Sequence, residues 1–236
     1  MEERRAIIVT IGNELLSGEV ENTNATWLAR ELYALGVLVH QILTLPDEIA
    51  VIVRMLQPLR TEYDYVLISG GVGPTPDDVT RPALARLLGV PLEPHPDALA
   101  LLQARFQGSS NAAVLAMADL PRGALVKIDS HLLFPGFILE NLYVLPGVPR
   151  IMQRIFALLR DRLRTRPFLT CSLHTTQKET AFAHLLVELS RRFPSVQVGS
   201  YPTTSEGEYQ VRIVLKSKEP QSLQQAKSWL ETRMQP

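Results

Sequence analysis

DYVLISGGVGPTPDD, residues 64–78, decides how this chain is read. Tyr65-Val66-Leu67-Ile68 is a short apolar run of the kind that forms a buried strand. It breaks at Ser69-Gly70-Gly71-Val72-Gly73, which is followed by Pro74, Pro76 and the adjacent acids Asp77 and Asp78. Thr80 and Pro82 then read as the cap and first turn of a helix. The order is strand, glycine-rich loop, acid pair, helix start. Three glycines let the main chain approach an anion closely, so several N–H groups can point at one phosphate. A helix start behind them adds a partial positive charge. Asp77 and Asp78 would repel a bare phosphate, so they make chemical sense with a divalent cation between them and it. The alternative is a tight strand-to-helix turn with solvated aspartates. Neither the Walker A pattern nor the dinucleotide fingerprint is present.

Working outward, Ala6–Ile11 reads as a first buried strand ending in a turn at Gly12-Asn13-Glu14. A helix is expected over Asn22–Leu35, capped by Asn22, Thr23 or Asn24 and stopped by Gly36. Val37–Leu43 is a second strand, and Pro46-Asp47 opens a second helix with Ile49, Ile52, Val53, Leu56 and Leu59 on its apolar face. Strands separated by helices imply right-handed crossovers and a largely parallel sheet. The loops after parallel strands share one edge, where ligands bind. Asn13-Glu14, Asp47 and Gly70–Asp78, distant in sequence, are therefore expected to meet at one crevice.

Helices are expected over Thr80–Leu88 and Pro96–Phe106, with a loop at Gly108-Ser109-Ser110-Asn111. Leu125–Ile128, Leu132–Phe134 and Asn141–Leu145 are short strand candidates suggesting an antiparallel excursion. Pro146-Gly147-Val148-Pro149 is a rigid turn opening a long helix to about Arg164. Thr165-Arg166-Pro167 looks like a linker. Beyond it, Phe168–Thr176, Glu179–Arg192, Val196–Tyr201, Tyr209–Lys216 and Ser222–Arg233 read as β-α-β-β-α, a small α+β unit, with a hairpin connection at Ser205-Glu206-Gly207-Glu208. The fold expected is α/β over residues 1–165 with a second α+β domain over 168–236.

The 236 residues are 46% hydrophobic with zero formal net charge, which argues against a protein held on nucleic acid by bulk electrostatics. One cysteine, Cys171, rules out an internal disulfide framework or a thiolate zinc site. No apolar run approaches membrane-spanning length, and the segment after MEERR is a strand start rather than a signal peptide. A cytoplasmic protein is the default expectation.

The runs IGNELLSGEVENTNATWLARELYALGV, LPDE, SGGVGPTPDDVTRPALARLLG and LPGVPRIM resemble the molybdopterin-binding-like domain of the competence/damage-inducible CinA family. The same arrangement is similar to the N-terminal domain of eukaryotic FAD synthase, and VGSYP at Val198–Pro202 extends the likeness into the second domain. The resemblance implies a three-layer α/β/α domain with a mixed, mostly parallel sheet. It implies a pyrophosphatase that cuts the P–O–P link of ADP-ribose or FAD, with divalent magnesium or cobalt and with potassium. It also implies a homo-oligomer, dimer or trimer. More distant relatives bind molybdopterin, and a molybdopterin- or nucleotide-binding protein without hydrolase activity is the alternative. The nicotinamide mononucleotide deamidase domain that many relatives carry has no counterpart in these 236 residues, so that activity is not assigned. Many broader relatives have Asp where this chain has Asn13, which leaves Glu14 as the acid of that loop.

Through this resemblance Asp47 and Asp78 are expected to hold the metal, with Asp77 in support and Glu14 or Asp77 activating water. Gly70, Gly71, Val72 and Gly73 are expected to bind phosphate oxygens. Asn24, Thr80, Asn111, Pro146 and Gly147 are further candidates for ligand contact. Duller roles stand beside these: Asp47 as a helix cap, Asn24 as another, Asn111 as a turn residue, and Trp27 and Tyr143 as core. His40, His95, His131, His174 and His184 read as structural or surface residues.

Overall fold

The computed structural model describes residues 4–106, 111–128, 135–205 and 208–234. They form two compact units, residues 1–165 and 166–236.

The first unit is built on a six-stranded sheet ordered β2-β1-β3-β8-β7-β6. Strands β1 (Arg5–Ile11), β2 (Leu38–Leu45), β3 (Tyr65–Ser69) and β8 (Leu142–Leu145) run parallel. β7 (Gly136–Leu139) and β6 (Leu125–Lys127) complete the sheet antiparallel. Alternation along β1 divides the core in two. Ile7, Val9 and Ile11 face one layer with Ile52, Leu56 and Leu84. Those come from α3 (Ile49–Glu62) and α4 (Thr80–Leu88). Ala6 and Ile8 face the other layer with Leu28, Leu32, Ile155 and Phe156, from α2 (Thr23–Ala34) and α7 (Pro149–Leu163). This is the three-layer α/β/α arrangement, with crossover helices covering both faces of a mostly parallel sheet.

Several local expectations need correction. Asn13–Ser17 forms a short helix, α1, where a turn was expected. α3 begins at Ile49 with Glu48 at its N-cap and no side-chain cap bond, so Asp47 does not cap it. Asn22 caps α2 by accepting from Ala25 N–H at 3.2 Å, so Asn24 is not the cap. Val79, not Thr80, is the N-cap position of α4. The strand expected over Asn141–Leu145 belongs to the parallel set beside β3 rather than to the antiparallel excursion. The excursion instead includes Gly136–Leu139, a strand that sequence pattern did not predict. The candidate Leu132–Phe134 lies outside the described residues, as do Gly108-Ser109-Ser110. A two-stranded ribbon was also not predicted, β4 (Leu92–Pro94) with β5 (Asp119–Pro121), flanking α5 (Pro96–Phe106) and the one-turn α6 (Ala112–Leu115).

The second unit is a three-stranded antiparallel sheet ordered β10-β11-β9. Its strands are β9 (Leu169–Thr175), β10 (Gln197–Ser205) and β11 (Glu208–Ser217). Helices α8 (Glu179–Arg192) and α9 (Pro220–Met234) supply Phe182, Leu189, Leu223 and Leu230 to its core. β10 and β11 pair down to Ser205 opposite Glu208, and Glu206-Gly207 between them lie outside the described residues. Among the described residues no helix is long and apolar enough to cross a membrane.

Candidate functional site

The C-terminal ends of β1, β2, β3 and β8 open onto one cleft of about 330 Å³. Glu14, Asp47, Asp77 and Asp78 all line it, together with Gly70, Gly71, Val72, Gly73, Asn24, Pro146 and Gly147. Asn24 and Gly147, 123 positions apart in the chain, thus share one rim, as parallel strands require.

The glycine loop is held by specific contacts. Gly70 has φ 109°, and a Cβ there would overlap the Ile11 carbonyl oxygen. Gly71 has φ 65°, and its Cβ would overlap Thr80 Oγ1. Thr80 is fully buried; its hydroxyl donates to Gly70 O at 2.8 Å and its N–H to Gly71 O at 2.9 Å. It shapes the loop from behind and is not part of the cleft lining. Val72 packs in the core and also borders the cleft.

The acids are anchored differently. Asp78 accepts from Thr75 N–H at 2.8 Å and from the Thr75 hydroxyl, closing the end of the loop. Asp47 accepts from Asn13 N–H at 2.8 Å, and Asn13 Oδ1 accepts in return from Asp47 N–H at 3.4 Å. Partial burial raises the Asp47 carboxyl above its ordinary value. The Asn13 N–H pulls it down, and the negative charges of Glu14, Asp77 and Asp78 push it up again. Asp47 thus stands in the field of three other carboxylates on the same rim. Among the described residues no set of three or more His, Cys, Asp or Glu side chains is arranged to hold a metal by itself. That donor set fits a magnesium-like ion that keeps waters and takes one or two carboxylates plus ligand phosphate oxygens.

Asn24 bridges two loops. Its Nδ2 donates to Ser69 Oγ at 3.1 Å and to Gly147 O at 2.6 Å, while Ser69 donates onward to Pro146 O at 3.1 Å. Asn111 stands apart from the cleft, capping α6 by accepting from Val114 N–H at 2.9 Å. Trp27 packs edge-on against Phe156, and Tyr143 is buried. None of His40, His95, His174 or His184 lines the cleft, and His131 lies outside the described residues.

Sequence reasoning missed Arg81. The residue is 8% exposed, and its guanidinium donates to Gly73 O at 2.9 Å, to Ala116 O, and to Asp119 O at 3.4 Å. The signal was a charged residue inside the otherwise apolar face of VTRPALARLL.

A family model described as "Probable molybdopterin binding domain" matches residues 7–165, more than half of the chain. The chain belongs to that family. A second model, "FAD synthase, middle domain", matches residues 167–236. A protein of Archaeoglobus fulgidus is 32% identical over 83% of this chain and 85% of its own length. A "Probable FAD synthase" of Caenorhabditis briggsae is 29% identical over 94% of this chain. This chain spans only 48% of that worm protein. A "CinA-like protein" of Citrifermentans bemidjiense is 37% identical over 64% of this chain and 38% of its own length. The crystal structure of CinA from Thermoplasma acidophilum superposes with a TM-score of 0.65 at 28% identity, covering 68% of this chain and 98% of that one.

Proposed function

We propose that the cleft binds the diphosphate of an adenylate-containing dinucleotide, ADP-ribose or FAD, and hydrolyses its P–O–P link. The observation that carries this reading is the meeting of the Gly70–Gly73 segment with acids from the connections after β1, β2 and β3 in one cleft. The flavin- and CinA-related names of the relatives support a nucleotide substrate.

Asp47 and Asp78 would hold a divalent cation, magnesium or cobalt, which supplies charge neutralisation at the diphosphate when bound. Main-chain N–H groups of Gly70–Gly73 orient the non-bridging oxygens, so the chain contributes positioning and electrostatics rather than a covalent intermediate. Glu14 or Asp77 takes the proton of the attacking water. The water oxygen bonds to one phosphorus, the bridging P–O bond breaks, and the departing phosphate carries away the bond's electron pair. AMP is one product, with ribose 5-phosphate or FMN as the other.

The test is AMP release from ADP-ribose and from FAD in the presence of magnesium or cobalt, with potassium. No AMP from either substrate under either metal removes the hydrolase. Full turnover by Asp78→Ala removes the assigned metal site and leaves the activity standing. The description of the matching family favours a second reading, a pterin-binding protein. A fluorescent pterin retained through purification, with no dinucleotide hydrolysis, selects it.

A further inference from the structure

In the α+β unit of residues 166–236, helices α8 and α9 cover the sheet face carrying Val211, Ile213 and Leu215. Ser200 lies on that covered side, its hydroxyl bonded to Glu179 of α8. Alternation therefore puts Tyr201, Arg212 and His174 on the other face.

Those three residues form one cross-strand row. Tyr201 lies opposite Arg212, and Arg212 lies opposite His174. The next row is Gly199, Val214 and Ser172. Tyr201 folds back along β10, so that a Cβ on Gly199 would stand 3.0 Å from its hydroxyl and 3.2 Å from its ring. The Arg212 guanidinium is 5.5 Å from the Tyr201 ring centroid, and Tyr201 remains 46% exposed. Arg212 and His174 are exposed as well. Lys216 occupies the same face two rows away, opposite Gln197 and Thr170. From that row to the row of Thr203 and Gln210, no acid occupies this face on any of the three strands.

We propose that this row binds one nucleotide, its base stacked on Tyr201 and the Arg212 guanidinium, its phosphate held by Arg212 and His174. The chemistry is complementary: a flat aromatic-cation surface for a base, and a guanidinium beside an imidazole with no carboxylate in their own or the adjoining rows to compete with a phosphate. The number of aromatics decides the size of the ligand. A strand of nucleic acid is held by a succession of stacking platforms along a groove. Between the rows of Gln197 and Thr203, Tyr201 is the one large ring among Gly199, Val214, Thr170 and Ser172, and Phe168, just before β9, is already covered by the Lys218 ammonium 4.6 Å from its ring centroid. One base, and hence a free nucleotide, is what fits. The site is made wholly of residues 169–216 and needs no metal.

The experiment uses the full chain with excess EDTA. AMP, adenosine, ribose 5-phosphate and a uridine octamer are titrated while the amide signals of Gly199, Tyr201 and Arg212 are followed by NMR. AMP is expected to shift these signals. Tyr201→Thr, a strand-compatible change, is expected to weaken AMP and adenosine at least about tenfold. Arg212→Gln is expected to weaken AMP by more than it weakens adenosine. Gly199→Ala, whose methyl crowds the ring and moves it by a few tenths of an ångström without removing any charge, is expected to weaken AMP by less than Tyr201→Thr does. Absence of AMP-dependent shifts at these residues overturns the site, as does unchanged affinity in both Tyr201→Thr and Gly199→Ala. An octamer that binds more tightly per nucleotide than AMP, and loses that binding in Tyr201→Thr, replaces the nucleotide with a nucleic-acid strand. Dinucleotide turnover in magnesium is a separate readout, so loss of this site and loss of the hydrolase are distinguishable.

Discussion

Asn13 and Asp47 grip each other across the cleft rim in a two-way contact. Asn13 N–H donates to Asp47 Oδ2 at 2.8 Å, and Asp47 N–H approaches Asn13 Oδ1 at 3.4 Å. The contact fixes the loop after β1 to the loop after β2 and holds an acid where Glu14, Asp77 and Asp78 repel it. An amide at position 13 accepts from Asp47 N–H without adding a further negative charge.

Asp47→Asn is therefore expected to stabilise the fold at neutral pH while abolishing the metal-dependent hydrolysis proposed above. Burial raises the Asp47 carboxyl above its ordinary 3.8, with the neighbouring acids adding to the rise. For a group raised on folding, the stabilising contribution is complete below the unfolded value and is lost as pH climbs through the folded one. The charged form is thus the strained form. The substituted amide keeps an oxygen for the Asn13 N–H and removes the charge. Urea midpoints at pH 7 are expected to be higher for the variant, with the gap closing toward about pH 4. A gap that stays constant with pH sinks the electrostatic account. Magnesium is expected to raise the melting temperature of the wild type more than that of the variant.

Gly70→Ala is expected to cost about 3 kcal/mol or more, since a positive φ and a backbone collision add. The collision is with the Ile11 carbonyl oxygen, which no side-chain rotation relieves. Gly18→Ala is the control: φ is 79° there, but a Cβ meets nothing within 4 Å, so only the conformational cost remains. That cost is about 1 kcal/mol. Equal denaturation midpoints for the two variants contradict the claim that the loop is packed against β1.

Thr80→Val keeps the shape of a fully buried side chain and deletes the donor to Gly70 O. The loss is expected to be about 1–3 kcal/mol, because the carbonyl is left without that partner. Thr80→Ser keeps the hydroxyl and is expected to recover most of the catalytic rate while losing a methyl group's worth of packing. If Thr80→Val turns over substrate as fast as Thr80→Ser, the hydroxyl does not shape the loop.

What the sequence made legible follows from how local each signal is. The apolar run Tyr65–Ile68 and the break at Gly70 state strand and turn within a few residues, and β3 follows them. Crossover topology then requires the loops to meet, so Asp47 and Asp78 fall on one rim from topology alone. A helix cap was the duller role open to Asp47 in the sequence; its carboxylate instead accepts from Asn13 N–H, 34 positions away. Periodicity carries no trace of such a partner. Gly136–Leu139 escaped because a four-residue buried strand has too little alternation to distinguish it from a loop. Asn141–Leu145 was legible as a strand, but its direction depends on which neighbour it pairs with. Tyr201 had no signal as a stacking surface until strand register set it opposite Arg212.

Arg81 provides the last prediction. It buries a guanidinium that serves main-chain carbonyls from two separate segments, Gly73 in the glycine loop and Ala116 and Asp119 before and at the start of β5. Burial pushes its pKa down, while the charges of Asp78 and Asp119 hold the cation in place. Arg81→Met fills the space with an apolar chain, strands these carbonyls and removes a positive charge near Asp78. A destabilisation of about 3 kcal/mol or more is expected, from unpaired buried acceptors and an uncompensated acidic rim. Arg81→Lys retains the charge, but one ammonium lacks the planar fork that reaches both segments, so it is expected to recover only part of the stability. Amide hydrogen exchange at Gly71 and Gly73 is expected to speed up in both variants, more with methionine than with lysine. Exchange that accelerates uniformly over the whole unit, with no excess at the glycine loop, would mean that Arg81 supports the core at large rather than the loop it touches.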